Sequence, residues 1–328
     1  MTSAKFLIAL TLTVSLASSS WLWADEEAAI ARVSKLGGKI TRDETAPNKP
    51  VIGVDLYGLY LNSKATDEDI KIVASLPHLR SLNVGLSKVT NASMKEIGKL
   101  KELENLSLCF TAVNDAGLKE LKNLEALKTI DLNNSRVTDE GVKELASHKA
   151  LRRINLSSLG VTDAGLSHLT GLEHLEAVDL FGTAVTDAGM KHLAAIPSIK
   201  YLELDYMRLT DEGVRQLAAL PNVQSLHLWN GRITDESMPA IAKLKSLRDL
   251  SLRDSKVTDA GVKQLASLTN LQKLILQGTA VTDASLSALE ACKELKEIFI
   301  YGTKITDAGI EKMKKALPQC KVLRVQIE

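Results

Sequence analysis

The sequence has 328 residues, a length at which about two globular domains would be usual. Its formal net charge is +1 at pH 7, and no run of lysine and arginine exceeds three residues. This pattern argues against a nucleic-acid-binding protein, which concentrates positive charge on one surface. Three cysteines, Cys109, Cys292 and Cys320, form neither a disulfide framework nor a zinc-ligand spacing, and the sequence leaves open whether Cys292 and Cys320 bond.

Residues 1–24 have the pattern of an export signal. Lys5 supplies the positive start, and an apolar run follows from Phe6 to Ala17. Cleavage after Ala17 and cleavage after Ala24 both fit the sequence, and an uncleaved anchor is a third alternative. We therefore predict an exported protein, periplasmic, on the cell surface or secreted, with no membrane span in the mature chain.

Residues 25–50 differ from the rest of the chain and predict an N-terminal cap. Apolar residues between Ala29 and Leu36 fall on one helical face, and two glycines end the pattern. A short strand over residues 39–41 and a turn-rich stretch follow. Because the first unit of a stack exposes apolar surface unless something covers it, we interpret this segment as a cover.

From residue 51 to residue 328 the chain repeats every 24 residues. The phrase Thr-Asp-x-Gly, with small departures, begins at residues 66, 90, 114, 138, 162, 186, 210, 234, 258, 282 and 306. Alternating residues such as Leu79 and Leu82 predict a short strand, and Leu118 and Leu121 belong to a helix that begins at the phrase. A fixed period of this size predicts a solenoid of about eleven units with one continuous core, ended by a closing strand.

The repeated unit, L-x-x-L-x-L-x-x-T-x-V-T-D-A-G-L-x-x-L-x-x-L, resembles the leucine-rich repeat with α-helices. It is most similar to the ribonuclease-inhibitor-like and cysteine-containing classes, and the wording T-D-A-G-L resembles repeats of exported bacterial proteins. The resemblance implies an α/β fold: a right-handed, horseshoe-shaped solenoid with parallel strands on its concave face and helices on its convex face. It also implies recognition of macromolecules, usually proteins, on the concave face. The cysteine-containing class is familiar from F-box substrate receptors, an alternative here although we see no F-box-like segment upstream.

The repeated polar residues are interpreted as structural. An aspartate, or Asn91 in one copy, follows the threonine at each helix start, where side chains accept hydrogen bonds from free backbone N–H groups. One carboxylate per repeat is too few for calcium, and His168 and His192 lack a third ligand, so we predict no metal and no cofactor. The glycine that follows, as in Gly189, is replaced only by Asp69 and by serines, which indicates close approach between neighbouring elements.

The variable strand positions are where a specific ligand would be recognised. Side chains alternate along a strand, so positions two, four and six after the first leucine point to the concave face. Aromatic and charged residues concentrate there between about 175 and 255, although only 4% of the chain is aromatic. This composition is typical of a binding hot spot. The predicted patch is Phe181, Tyr201, Asp205, Tyr206, His227, Trp229, Asp249 and Arg253.

A catalytic alternative starts from Glu203, His227 and Ser251, which lie on adjacent predicted strands in the order of a nucleophilic triad. Asp179 beside Glu203 would likewise resemble the carboxylate pair of a glycosidase. A shallow groove open to water, with no N–H donors aimed at an oxyanion, argues against both readings.

We therefore predict a non-enzymatic extracytoplasmic module, a monomer or weak oligomer, that binds a protein through the patch. The alternatives are a binder of polysaccharide or cell-envelope glycan at the same aromatic residues, and an architectural envelope protein that associates through its helices.

Overall fold

The computed structural model describes residues 26–58, 65–229 and 231–326, and the predicted signal segment lies outside them. The chain divides into two compact units, Met1–Lys128 and Thr129–Glu328. Within the described residues, no helix is long and apolar enough to cross a membrane.

In its described residues, the first unit contains four strands and four α-helices. The strands are β1 (Lys39–Arg42), β2 (Val51–Asp55), β3 (Ser81–Asn83) and β4 (Asn105–Ser107), and the helices are α1 (26–35), α2 (Asp67–Val73), α3 (Met94–Ile97) and α4 (Asp115–Lys119). Strand β1 is antiparallel to β2, and β3 and β4 continue the sheet in parallel.

The second unit repeats one strand and one helix per turn. Its strands are β5 (Thr129–Asp131), β6 (Arg153–Asn155), β7 (Ala177–Asp179), β8 (Tyr201–Glu203), β9 (Ser225–His227), β10 (Asp249–Ser251), β11 (Lys273–Ile275), β12 (Glu297–Phe299) and β13 (Lys321–Leu323). Its helices are α5 (Asp139–Leu145), α6 (Asp163–Ser167), α7 (Asp187–Ala194), α8 (Asp211–Leu217), α9 (Met238–Ile241), α10 (Asp259–Gln264), α11 (Asp283–Leu289) and α12 (Asp307–Ala316).

Among the described residues, the strands of each unit follow chain order, β1 to β4 in the first unit and β5 to β13 in the second. From β5 to β13 every pairing is parallel and in register at intervals of 24 residues, as in Leu202 beside Leu226 and Leu250 beside Leu274. These central strand residues are at most 2% exposed, because they pack toward the helices. The predicted α/β architecture of parallel strands alternating with helices is thus confirmed.

Successive repeats are joined by a hydrogen-bonded ladder between aspartate and threonine. Asp163 accepts the backbone N–H of Thr186 at 2.8 Å and its hydroxyl at 2.7 Å. The Thr186 hydroxyl in turn accepts the N–H of Ala188 and caps α7. The same pairs recur at Asp67–Thr90, Asp139–Thr162, Asp187–Thr210, Asp211–Thr234, Asp235–Thr258, Asp259–Thr282 and Asp283–Thr306. The threonines cap their helices as expected, whereas these aspartates bond to the next repeat.

Both ends of the ladder are completed by an arginine. The first threonine, Thr66, has its N–H and hydroxyl accepted by Asp69 of its own helix, and the buried Asp69 is paired with Arg32 of α1 at 2.5 Å. At the other end, Arg324 donates to Asp307 at 2.8 Å. Asp69 stands where most repeats have glycine. It therefore gives Thr66 the carboxylate that later threonines receive from the preceding repeat.

The three cysteines are buried and free. Burial raises the pKa of Cys292 to about 11 and, with a smaller effect of Glu297, that of Cys320 to about 11. No disulfide links Cys292 to Cys320, so each acts as a small apolar residue of the core.

Candidate binding site

The parallel register places the variable side chains of β7 to β11 side by side. Glu203 lies beside His227, and His227 beside Ser251, on neighbouring strands. Because the central leucine of each strand points to the helices, these flanking residues lie on the opposite face, the open face of the sheet. The open face is therefore where the second unit presents its variable chemistry.

Three aromatic rings form a row across this face. The centroids of Phe181 and Tyr206 are 5.0 Å apart, and those of Tyr206 and Trp229 are 4.2 Å apart, with tilted planes. The guanidinium carbon of Arg253 lies 3.6 Å from the Trp229 centroid, a cation–π contact. Tyr206 is 53% exposed and Phe181 36% exposed, so the row presents apolar surface to solvent beside a fixed positive charge.

His227 lies between two carboxylates. Its Nδ1 is 2.8 Å from Glu203 Oε2, its Nε2 is 3.5 Å from Asp249 Oδ1, and Lys273 Nζ is 3.5 Å from the other Asp249 oxygen. Burial alone would lower the pKa of His227, but Asp249 and Glu203 together raise it to about 10. The imidazole is therefore positively charged at neutral pH.

Two further carboxylates of the face are difficult to ionise. Asp205 accepts the backbone N–H of Trp229 at 2.5 Å, yet burial and the like charge of Glu203 raise its pKa to about 7. Burial also raises the pKa of Asp179, although Asp179 accepts the hydroxyl of Ser157 at 2.5 Å. Both carboxylates are therefore protonated more readily than an exposed aspartate.

Buried polar atoms without a hydrogen-bond partner are concentrated here. Of eight such side-chain atoms among the described residues, five belong to variable residues of the open face. They are Asn133 Oδ1, Glu203 Oε1, His227 Nε2, Asp249 Oδ1 and Arg253 Nε. Three of them lie in ion pairs too long or misaligned for a hydrogen bond: His227 Nε2 with Asp249 Oδ1 at 3.5 Å, and Arg253 Nε with Asp254 at 3.6 Å. Because buried polar groups are nearly always hydrogen-bonded in folded proteins, this concentration indicates a surface that a polar ligand completes.

The structure brings most of the predicted patch together. Five of its residues line one groove of about 410 Å³, together with Asp179, Glu203, Ser251 and Lys273. Those five are Phe181, Asp205, His227, Trp229 and Arg253. Asp249 contacts this groove through His227, and Tyr206 through its two ring neighbours.

Tyr201 lies beside the groove and lines an adjoining hollow with Asp131 and Asp179, where Arg153 Cζ is 5.5 Å from its ring centroid. Lys273 was missing from the predicted patch. Lys273 lies two residues after Leu271 of its repeat, and this position faces the groove, so the sequence pattern could have identified it.

The triad suggested by the sequence does not form. Glu203 contacts His227 as that reading requires, but the second ring nitrogen faces Asp249, and Ser251 is only 3% exposed. Glu203, Asp205 and His227 also offer three metal-ligating atoms within 4.8 Å of one another, a grouping that the sequence analysis overlooked. Of these three residues, His227 and Glu203 are already ion-paired with each other at 2.8 Å.

Residues 212–324 match the family described as FBD-associated F-box protein At5g56370, LRR repeats. Residues 125–146 and 171–194 match the Leucine Rich repeat family. No curated protein sequence matches the chain.

Among solved structures, an internalin from Listeria monocytogenes superposes with a TM-score of 0.61 and 18% identity, covering 93% of this chain and 96% of that one. A leucine-rich-repeat protein of Leptospira interrogans gives a TM-score of 0.52 and 23% identity, covering 77% of this chain and 74% of that one. These likenesses concern the fold, and they agree with the family matches and the 24-residue register. The chain is a leucine-rich-repeat protein.

Proposed function

We propose that this protein is a non-enzymatic recognition module that binds a protein partner through the open face of β7 to β11. The observation that carries the proposal is the row of Phe181, Tyr206 and Trp229, the first two exposed and the third half-buried, beside buried polar atoms without hydrogen-bond partners. Aromatic anchors bury large apolar areas on binding, and charged neighbours determine specificity and association rate.

The electrostatics of the groove support binding over catalysis. A general base must be unprotonated near neutral pH, whereas the carboxylates around His227 raise its pKa to about 10. The nucleophile that a triad needs would be Ser251, which is buried and is not the neighbour of either ring nitrogen. We infer that His227 organises charge in the groove.

We also propose that the protein acts outside the cytoplasm, on the pattern of residues 1–24. The family match to F-box protein repeats favours a second candidate, a substrate receptor that recognises a protein through the same face. Binding of a glycan to the aromatic row is a third candidate, because tyrosine and tryptophan rings also stack on sugars.

The test is capture of cell-envelope proteins and glycans by the purified full chain. Trp229→Ala and Arg253→Glu should each abolish capture of a protein partner, and Tyr301→Ala serves as control because it occupies the equivalent position on a distant strand. Capture that both groove variants retain would contradict the proposal. Saturable glycan binding that persists at high salt and is lost with Trp229→Ala would favour the glycan candidate.

A further inference from the structure

Two carboxylates of the groove lack a cationic partner. Among the described residues, neither Asp179 nor Asp205 lies within ion-pair distance of a lysine, arginine or histidine, although both accept hydrogen bonds from uncharged donors. The nearby cations are engaged elsewhere: His227 with Glu203 and Asp249, Lys273 with Asp249, and Arg253 with Trp229 and Asp254. Asp179 and Asp205 are therefore the two groove carboxylates that a cation from a ligand could ionise and pair with.

The aromatic row lies at the same place. Phe181 follows Asp179 by two residues, and Tyr206 follows Asp205 directly, so rings and carboxylates alternate across neighbouring strands. The faces of aromatic rings attract cations, more strongly when water is displaced. Trp229 already holds the guanidinium of Arg253, which shows that this row suits a positive charge.

The order of the strands separates the cation–π contact of Arg253 from the two carboxylates. Arg253 is on the β10 side of Trp229, whereas Asp179, Phe181 and Asp205 are on the β7 and β8 side. A cation bound over the exposed sides of the Phe181 and Tyr206 rings would lie on the far side of Trp229 from Arg253. It would also reverse the destabilisation that raises the pKa values of Asp179 and Asp205, because an adjacent positive charge favours the ionised carboxylate.

We propose that this part of the groove binds a basic side chain, a lysine or arginine, of the protein partner. Phe181 and Tyr206 would contact its aliphatic stem and charged end, and Asp179 and Asp205 would neutralise it. A guanidinium or ammonium group uses both the rings and the carboxylates, which a hydrated metal ion does not. The inference rests on the proposed function and adds the chemistry of the partner.

The experiment is selection of displayed random peptides on the full chain, followed by binding measurements with synthetic copies. Selected peptides should be enriched in lysine and arginine and depleted in aspartate and glutamate. Replacing the essential arginine by citrulline, or the lysine by norleucine, should weaken binding about tenfold.

Substitution in the protein gives a second readout. Asp179→Asn with Asp205→Asn keeps the oxygen that accepts the hydrogen bonds but removes the charge, so affinity for basic peptides should fall about tenfold. Glu297→Gln, on the same face at β12, is the matched control and should bind normally. The peptide replacements on the unmodified protein remain decisive if the double variant folds poorly.

The outcomes separate the two proposals. Peptides that bind through Trp229, lose affinity with Trp229→Ala and yet show no preference for basic residues would overturn the inference and leave the proposed function standing. A failure to select any peptide, or binding that Trp229→Ala leaves unchanged, would overturn both.

Discussion

Asp187 binds Thr210 of the following repeat through both carboxylate oxygens, accepting its backbone N–H at 2.8 Å and its hydroxyl at 2.6 Å. The same hydroxyl accepts the N–H of Glu212, so one threonine links two repeats and caps α8. In a repeat protein, stability depends on such interfaces between neighbours. The recurring aspartate is therefore an element of the interface between repeats.

Replacing Asp187 with alanine should lower the free energy of unfolding by about 2 kcal/mol, because two donors at the interface lose their acceptor. The measurement is urea-induced unfolding followed by circular dichroism. The control is Glu212→Ala: Glu212 is exposed on α8, the helix that Thr210 caps, and its replacement should change stability little.

The first unit contains a pair of residues that can replace the Asp187–Thr210 pair. There Asn91 replaces the aspartate and Asn114 the threonine, and Asn91 Nδ2 donates to Asn114 Oδ1 at 2.6 Å while its oxygen accepts the Asn114 N–H at 3.0 Å. We expect Asp187→Asn combined with Thr210→Asn to be more stable than Asp187→Ala. Equal stability of the two variants would show that the ladder contributes little.

Gly189 should tolerate serine better than alanine. A Cβ atom added to Gly189 would clash with Asp163 Oδ1, which the ladder holds in place. At the equivalent position Ser285 carries the same Cβ but also donates its hydroxyl to Asp259, and this hydrogen bond offsets part of the cost of the close contact. Gly189→Ala should therefore cost about 1 to 3 kcal/mol of unfolding free energy, and Gly189→Ser less. Urea unfolding of both variants checks this, and an alanine variant as stable as the serine variant would contradict it.

Much of the fold could be predicted because a fixed period of 24 residues assigns every residue to one position of the repeat. The strand and helix positions, the burial of the central leucines and most of the groove follow from that assignment. The ribonuclease-inhibitor-like subtype, and the division into signal, cap and repeats, stay predictions.

Contacts between side chains at different positions of the repeat could not be predicted in the same way. Ser251 is the register neighbour of His227, yet the imidazole lies against Glu203 and Asp249. Charge decides between neighbours at similar distances, because a buried imidazolium is stabilised by a carboxylate more than by a hydroxyl. The turn that follows each strand could not be predicted either. Alternation of apolar and polar residues predicts a strand, but it does not predict the backbone conformation after the strand ends.

His227 should make stability depend on pH. The carboxylates of Asp249 and Glu203 raise the pKa of folded His227 to about 10 from an ordinary value of 6.5. Between these values the folded protein binds more protons than the unfolded chain, so the contribution of His227 is present below pH 6.5 and is lost as pH rises toward 10.

The difference in unfolding free energy between the unmodified protein and His227→Gln should therefore shrink across that window. Allowing for partial exposure of the cluster, we expect a change on the order of 2 kcal/mol. Urea unfolding at several pH values measures it, with His168→Gln, on the helix side of the sheet, as control. A difference that is constant with pH would show that the imidazole does not hold its proton.

Tyr206 occupies a backbone conformation that favours glycine. Its φ is 56°, and the corresponding residues of other repeats include Gly182 and Gly278, with φ of 66° and 70°. An L-residue in this region costs about 1–2 kcal/mol. The sequence retains a tyrosine there, half exposed, in contact with Phe181 and Trp229.

Two substitutions separate the backbone cost from the contribution of the ring. Tyr206→Ala and Tyr206→Gly both remove the ring, but only glycine relieves the left-handed conformation, so the glycine variant should be more stable by about 1 kcal/mol in urea unfolding. Both variants should bind selected peptides equally weakly, because the row of rings is broken in each. If both instead bind as tightly as the unmodified protein, the tyrosine has no part in recognition, and the proposed binding of a basic side chain against Phe181 and Tyr206 fails with it.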